Sequence, residues 1–141
     1  MAQNFLVIGS GSFSGSDFVD LLLENPENKV VGISRSKERS DLFMPYLLNK
    51  NISNFKFHAL DVNTHLKEIL QVVDDFAPDY IVNFAAQSEV LPSWENPAHW
   101  YQTNVIGTSN LVHELRHRKF IKKYVQISSP EVYLSLIHIS E

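Results

Sequence analysis

The 141-residue chain contains no cysteine, which excludes a disulfide framework and any thiolate metal site and makes a reducing cytoplasm the expected environment. It has no apolar run near the ~18 residues that a bilayer span requires. Nor does it open on a basic segment, since Met1-Ala2-Gln3-Asn4 leads straight into Phe5-Leu6-Val7-Ile8. Secretion and membrane anchoring are therefore not expected. An excess of positive charge is also missing: the formal net charge is -4, which argues against a broad nucleic-acid-binding face. The one basic stretch, His117 to Lys123, reads as a solvated helix end and loop. Metal ligation finds no support, because His113 and His117 share i, i+4 spacing on an expected surface helix without an acid motif. There is no repeat and no low-complexity linker. With 44% hydrophobic residues, the chain suits one globular domain with a real core.

What is present is alternation. Short apolar runs at Phe5 to Ile8, Val30 to Ile33, Phe55 to Leu60, Tyr80 to Phe84 and Tyr124 to Ile127 are separated by helical patterns. Most of these runs are nearly continuous, as parallel strands covered on both faces should be. Phe18, Val19 and Leu22 share a helix face with Gly15. Leu66, Ile69, Leu70, Val73 and Phe76 make a second stripe. Asn104, Gly107, Thr108, Leu111, Val112 and Leu115 make a third, which places Asn104 on a buried face. The segment from Ser36 to Asn54 is less regular, with one short helix over Asp41 to Leu48 interrupted at Pro45 as an option. Trp94 and Trp100 read as packing residues. The expected fold is α/β, a doubly wound, Rossmann-like parallel sheet ending after its fifth strand.

The first strand runs into Gly9-Ser10-Gly11-Ser12-Phe13-Ser14-Gly15, and an amphipathic helix follows at once. A helix N-terminus offers unpaired N–H groups and partial positive charge, so a diphosphate can rest there if no side chain shields the backbone. Gly9 suits the sharp turn, Gly11 and Ser12 the close approach, and Gly15 tight packing of helix on sheet. The plainer alternative is a helix start rich in serine because serine caps well.

The spacing of Gly9, Ser12 and Gly15 around Phe13 resembles the GxxGFxG loop of the extended short-chain dehydrogenase/reductases, the nucleotide-sugar epimerases and dehydratases. Ser12 stands where that family has its middle glycine, so a Cβ is expected to crowd the pyrophosphate or shift it toward Gly11. Further matches follow in order. Asp61-Val62 resembles the adenine-contacting pair, with capping of the helix near Thr64 as the alternative for Asp61. Asn83-Phe84-Ala85-Ala86-Gln87-Ser88 resembles the NxAAxS turn, Asn104 with Gly107-Thr108 the NxxGT helix, and Ser128-Ser129-Pro130-Glu131-Val132-Tyr133 the S-[ST]-x-E-V-Y-G segment. The resemblance assigns Gly9, Gly11, Ser12, Phe13, Gly15, Asp61, Val62, Phe84, Ala85, Ala86, Ser88, Asn104 and Ser128 to the cofactor site. In the family, Asn104 helps hold the active-site backbone.

The family's cofactor is NAD or NADP. After the second strand, Ser34 occupies the position where an NAD-specific fold offers an acid to the ribose, and Arg35 could pair with a 2′-phosphate. This favours NADP, with NAD and a solvated Arg35 as the alternative. The resemblance also implies chemistry. Ser129 matches the residue that hydrogen-bonds a sugar 4-hydroxyl, and Glu131 matches the base that takes the C5 proton in 4,6-dehydratases. Pro130 stands where dTDP-glucose-type dehydratases carry an acid, whereas GDP-mannose-type enzymes do without it and favour NADP. A nucleotide-sugar 4-epimerase and a non-catalytic dinucleotide sensor are the alternatives. The family's Tyr-x-x-x-Lys does not occur after the fifth strand, so a complete, homodimeric parent enzyme is expected to supply it. Residues 1–133 are read as the dinucleotide-binding domain. Residues 134–141, Leu-Ser-Leu-Ile-His-Ile-Ser-Glu, read as a translated transposon-end sequencing adapter.

Overall fold

The computed structural model describes residues 2–128. Five parallel strands, β1 (Asn4–Ile8), β2 (Lys29–Ser34), β3 (Phe55–Ala59), β4 (Tyr80–Asn83) and β5 (Lys123–Gln126), form one sheet in the order β3-β2-β1-β4-β5. The chain winds from β1 outward to β3 and then returns to the other side of β1. That reversal leaves a crevice between the carboxyl ends of β1 and β4, where open parallel sheets bind ligands. The register sets Ile8 opposite both Ile33 and Asn83, so the loops after these strands converge at one level.

Side chains alternate across a strand, and here the alternation divides the core in two. Leu6, Ile8, Val31, Ile33 and Ile81 pack with Ile69 and Val73 of α2 (Leu66–Phe76) and with Leu111 and Leu115 of α5 (Thr108–Leu115). On the opposite face, Val7 and Val30 pack with Val19 and Leu23 of α1 (Phe13–Leu23) and with Met44 and Tyr46. Both faces are covered, which explains the nearly continuous apolar strands.

The irregular segment resolves as a turn, with a 3-10 helix at Ile52–Asn54 just before β3 and an earlier one at Pro45–Leu48. Pro45 therefore opens that element instead of interrupting a longer one, in keeping with its fixed φ and missing N–H. Between β4 and β5 the chain adds α3 (Val90–Glu95), α4 (Pro97–Trp100) and a π-helix at Tyr101–Gly107 that runs directly into α5. The wider π turn changes the expected face. Thr103 and Gly107 are buried in line with Leu111 and Leu115, and Asn104 is exposed. Trp94, expected to pack, is 82% exposed. The basic stretch is not simply solvated either: Arg118 grips Asp74 with two bonds of 2.7 and 2.9 Å, and Lys122 pairs with Asp79 at 2.9 Å. Among the described residues no helix is long and apolar enough to cross a membrane.

Candidate functional site

The site begins with Gly9. Its N–H donates to the Ile33 carbonyl at 2.7 Å and its φ is +81°, a left-handed conformation that glycine tolerates and other residues rarely do. A Cβ here would lie 2.6 Å from the Ala85 nitrogen and 2.7 Å from the Phe84 carbonyl carbon. The loop after β1 and the loop after β4 are thus in backbone contact, and only a bare Cα lets them approach so closely. Gly15 is equally constrained, since a Cβ would run into the Gly9 carbonyl.

Ser12 does not aim its side chain at the space a diphosphate needs. Its hydroxyl donates to the Gly9 carbonyl at 2.8 Å and accepts from the Gly15 N–H at 3.1 Å, capping α1. The hydroxyl is folded back onto the loop, so serine capping, the plainer alternative, is present, while Ser12 still lines the cleft. Phe13 and Ser14 follow as the first two residues of α1, positions whose N–H groups have no intrahelical acceptor. These donors and the glycine cradle fit a dinucleotide diphosphate.

Around this loop lies a cleft of about 240 Å³. It brings together ten of the sequence-assigned residues: Gly9, Gly11, Ser12, Ser34, Arg35, Asp61, Val62, Phe84, Ala85 and Ala86. Phe13, Gly15, Ser88, Asn104 and Ser128 are not in its lining. Phe13 is 84% exposed, Gly15 lies buried beneath the loop, Ser88 is exposed, and Ser128 sits exposed just beyond β5. Ser129 and Glu131 fall outside the described residues, as do positions 134–141.

Ser34 is more than a missing acid. Its Oγ accepts from the Gly11 N–H at 2.7 Å and so ties the end of β2 to the glycine loop. Asp61 does not cap α2. Its Oδ1 accepts from the Asn63 N–H at 2.8 Å in a local turn, and the helix begins only at Leu66 with no side-chain cap. Asn104, although exposed, clasps the Gln87 peptide on both sides, accepting from its N–H at 2.8 Å and donating to its carbonyl at 2.9 Å. Buried Asn83 braces the same loop, accepting from the Ala85 N–H at 2.9 Å and donating to the Tyr124 hydroxyl and the Gln126 Oε1. Burial raises the Tyr124 phenol above its ordinary pKa, with the Asn83 bond opposing the shift.

Sequence reasoning missed several residues of the lining. Ser36, Lys37 and Arg39 join Arg35 at one end, and Asn63 and Thr103 join Asp61 and Val62, with the Asn63 amide donating to Thr103 Oγ1 at 3.0 Å. The signal for the basic pair was the i, i+2 spacing of Arg35, Lys37 and Arg39, which an extended segment can turn toward one side. Nothing in the spacing pointed to Thr103, whose placement depends on the π turn.

Residues 6–138 match the family described as GDP-mannose 4,6 dehydratase. The dTDP-glucose 4,6-dehydratase of Escherichia coli is 29% identical across 99% of this chain and 40% of its own length. A UDP-glucuronate 4-epimerase of Thermodesulfobacterium geofontis is 30% identical across 92% and 40%. Among solved structures, the dTDP-glucose 4,6-dehydratase of Bacillus anthracis in complex with NAD superposes with a TM-score of 0.74 at 27% identity, over 93% of this chain and 39% of that one. The UDP-glucose 4-epimerase of Thermotoga maritima gives 0.73 at 28%, over 89% and 38%. The chain thus spans about 40% of the length of the curated relatives it matches. With the glycine cradle at the sheet's reversal point and the ordered motifs around it, the chain belongs to the GDP-mannose 4,6-dehydratase family, within the extended short-chain dehydrogenase/reductases that act as nucleotide-sugar dehydratases and epimerases.

Proposed function

We propose that the full-length protein carrying this chain is a nucleotide-sugar 4,6-dehydratase that prefers NADP to NAD. The observation that carries the cofactor reading is the cleft itself, in which Ser34 replaces the ribose-binding acid and Arg35, Lys37 and Arg39 line the same end. The described lining carries these three cations against one carboxylate, Asp61, a positive balance that suits a 2′-phosphate. The glycine loop would hold the diphosphate, Asp61 and Val62 would meet the adenine, and Phe84 to Ala86 would floor the nicotinamide end. The cofactor, when bound, would supply the redox chemistry, taking hydride from the sugar C4 and returning it at C6 after water has left.

Within this chain, Ser129 would hydrogen-bond the sugar 4-hydroxyl. Glu131 would take the C5 proton once a neighbouring C4 ketone has acidified it and pass it to the departing 6-hydroxyl, which leaves as water. Asn104 and Asn83 would keep the loop at Ala85 to Gln87 in place. The dehydratase reading is supported by Glu131 and by the family description, and the lack of an acid at Pro130 favours a GDP-mannose-type over a dTDP-glucose-type substrate. We place the protein in the cytoplasm as a homodimer, the second reading being supported by exposed Val105, Ile106 and Val112 along the π-helix and α5. Residues 134–141 are proposed to be adapter-encoded, and re-amplifying the locus from source DNA should give other codons after Tyr133.

The test of activity is loss of one water from candidate nucleotide sugars, GDP-mannose and dTDP-glucose first, read by mass spectrometry on the full-length protein. Glu131→Gln should keep cofactor binding and abolish the 4-keto-6-deoxy product. Residues 1–141 expressed alone should form none. Interconversion at C4 with unchanged mass, and a Glu131→Gln variant of undiminished rate, would instead establish a 4-epimerase, the activity named for the Thermodesulfobacterium and Thermotoga relatives.

A further inference from the structure

The segment after β2 carries an acid among its cations: Arg35-Ser36-Lys37-Glu38-Arg39. Arg35, Ser36, Lys37 and Arg39 line the cleft, and Glu38 does not. Its Oε1 instead accepts from the Tyr46 hydroxyl at 3.0 Å. The two partners differ in freedom. Glu38 is exposed on an irregular segment, whereas Tyr46 is fully buried, its ring 4.6 Å from that of Phe55 and packed in the core beside Met44. The phenol stays protonated, because burial first and the Glu38 carboxylate second raise its pKa well above the ordinary range. It is therefore a fixed donor that cannot be lost by titration near neutral pH.

We propose that Tyr46 is a selectivity-determining positioning residue, whose hydroxyl holds the Glu38 carboxylate away from the cationic rim and leaves Arg35, Lys37 and Arg39 free for the 2′-phosphate of the cofactor. The proposal rests on the NADP reading given above. Its physical content is competition. A carboxylate next in sequence to both Lys37 and Arg39, once released, can pair with either cation and offset the charge a phosphate would use. The diphosphate end, which both cofactors share, lies on the glycine loop and is untouched by the exchange.

The experiment measures NADP and NAD dissociation constants for the full-length protein and for Tyr46→Phe, Glu38→Gln and the double variant. Releasing one partly screened carboxylate should weaken NADP binding in Tyr46→Phe by roughly three- to fivefold and leave NAD unchanged. Glu38→Gln keeps an acceptor for Tyr46 without the charge, so its NADP affinity should equal or exceed that of the unaltered protein. The double variant should recover the Glu38→Gln affinity, because no carboxylate is left to release. A Tyr46→Phe loss shared equally by NAD, or one that Glu38→Gln does not rescue, would show that Tyr46 only supports the fold and would overturn the proposal. Should Tyr46→Phe fail to fold, Glu38→Ala on the exposed partner decides: a drop in NADP affinity overturns the proposal, and retained or increased affinity upholds it. Tighter binding of NAD than NADP by the unaltered protein would sink the NADP reading, whereas the rescue pattern tests the Tyr46 role separately.

Discussion

The two ends of the cleft are built on different principles. The glycine loop is held by backbone: Gly9 bonds to β2, abuts the Ala85 peptide of the loop after β4, and is closed by the Ser12 cap. The basic segment at residues 35–39 is exposed and is fastened through side chains, Ser34 to the Gly11 N–H and Glu38 to Tyr46. A backbone-defined site accepts no added atom, so a change there acts through sterics and nearly all at once. A site defined by exposed charges changes by degree, since each contribution is screened and partly replaceable. On the proposed reading the shared diphosphate would sit on the first kind of end and the distinguishing 2′-phosphate on the second, so selectivity could change without rebuilding the binding loop.

Gly9→Ala should give the largest effect. It forces a Cβ to within 2.6 Å of the Ala85 nitrogen at a φ of +81°, a strain of about 2–4 kcal/mol. Titration of the full-length variant should show both cofactors lost together, and binding retained within about twofold would mean that the Ala85 peptide can give way. Arg35→Ala should come next. Removing a charge-assisted contact costs on the order of 1.5–3 kcal/mol, which weakens NADP by roughly ten- to a hundredfold and leaves NAD nearly unchanged. Calorimetry with both cofactors checks it, and an equal loss for each would erase the distinction between the ends.

Ser12→Ala removes the α1 cap and should lower stability by about 1 kcal/mol in chemical denaturation, affecting both cofactors alike. The smallest effect lies outside the cleft. Asp79 accepts from the Asn4 N–H at 2.9 Å and pairs with Lys122, and these bonds, the backbone one foremost, hold its pKa below the usual carboxylate value. A depressed folded-state pKa contributes stability that is full above the unfolded value and is lost as pH falls through the folded one. Asp79→Asn should therefore flatten the acid limb of the melting curve below about pH 4 without changing the NADP-to-NAD ratio at neutral pH.

Much of this architecture was legible because parallel strands buried on both faces must be apolar along their length. The runs ending at Ile8, Ile33 and Phe84 announced both the sheet and the positions of the loops that follow its strands. The glycine loop was legible for a related reason, since backbone sterics limit it to few residue types. The two short helices after β4, α3 and α4, were not foreseen, unlike α5: Pro92 and Pro97 break the pattern, and exposed Trp94 gives no apolar period. Asn104 was placed on the buried face by a uniform helical period, which the π turn does not obey; Thr103 takes the buried position, and Asn104 turns to the Gln87 peptide instead. Arg118 and Lys122 looked like solvent-facing charge because their partners, Asp74 and Asp79, are more than forty residues away and pair with them only once the sheet has formed.

The central placement of β1 also sets a timetable for synthesis. Phe5 pairs with Val30 on one side and with Tyr80 on the other. A ribosome adding about 5–20 residues per second needs several seconds between delivering the first partner and the second. During that interval one edge of an apolar strand is open to any other strand nearby, a known route to misassembly. The crevice between β1 and β4 forms only when the later partner arrives, so a cofactor held by both loops, as proposed above, would reward only chains that have already paired correctly.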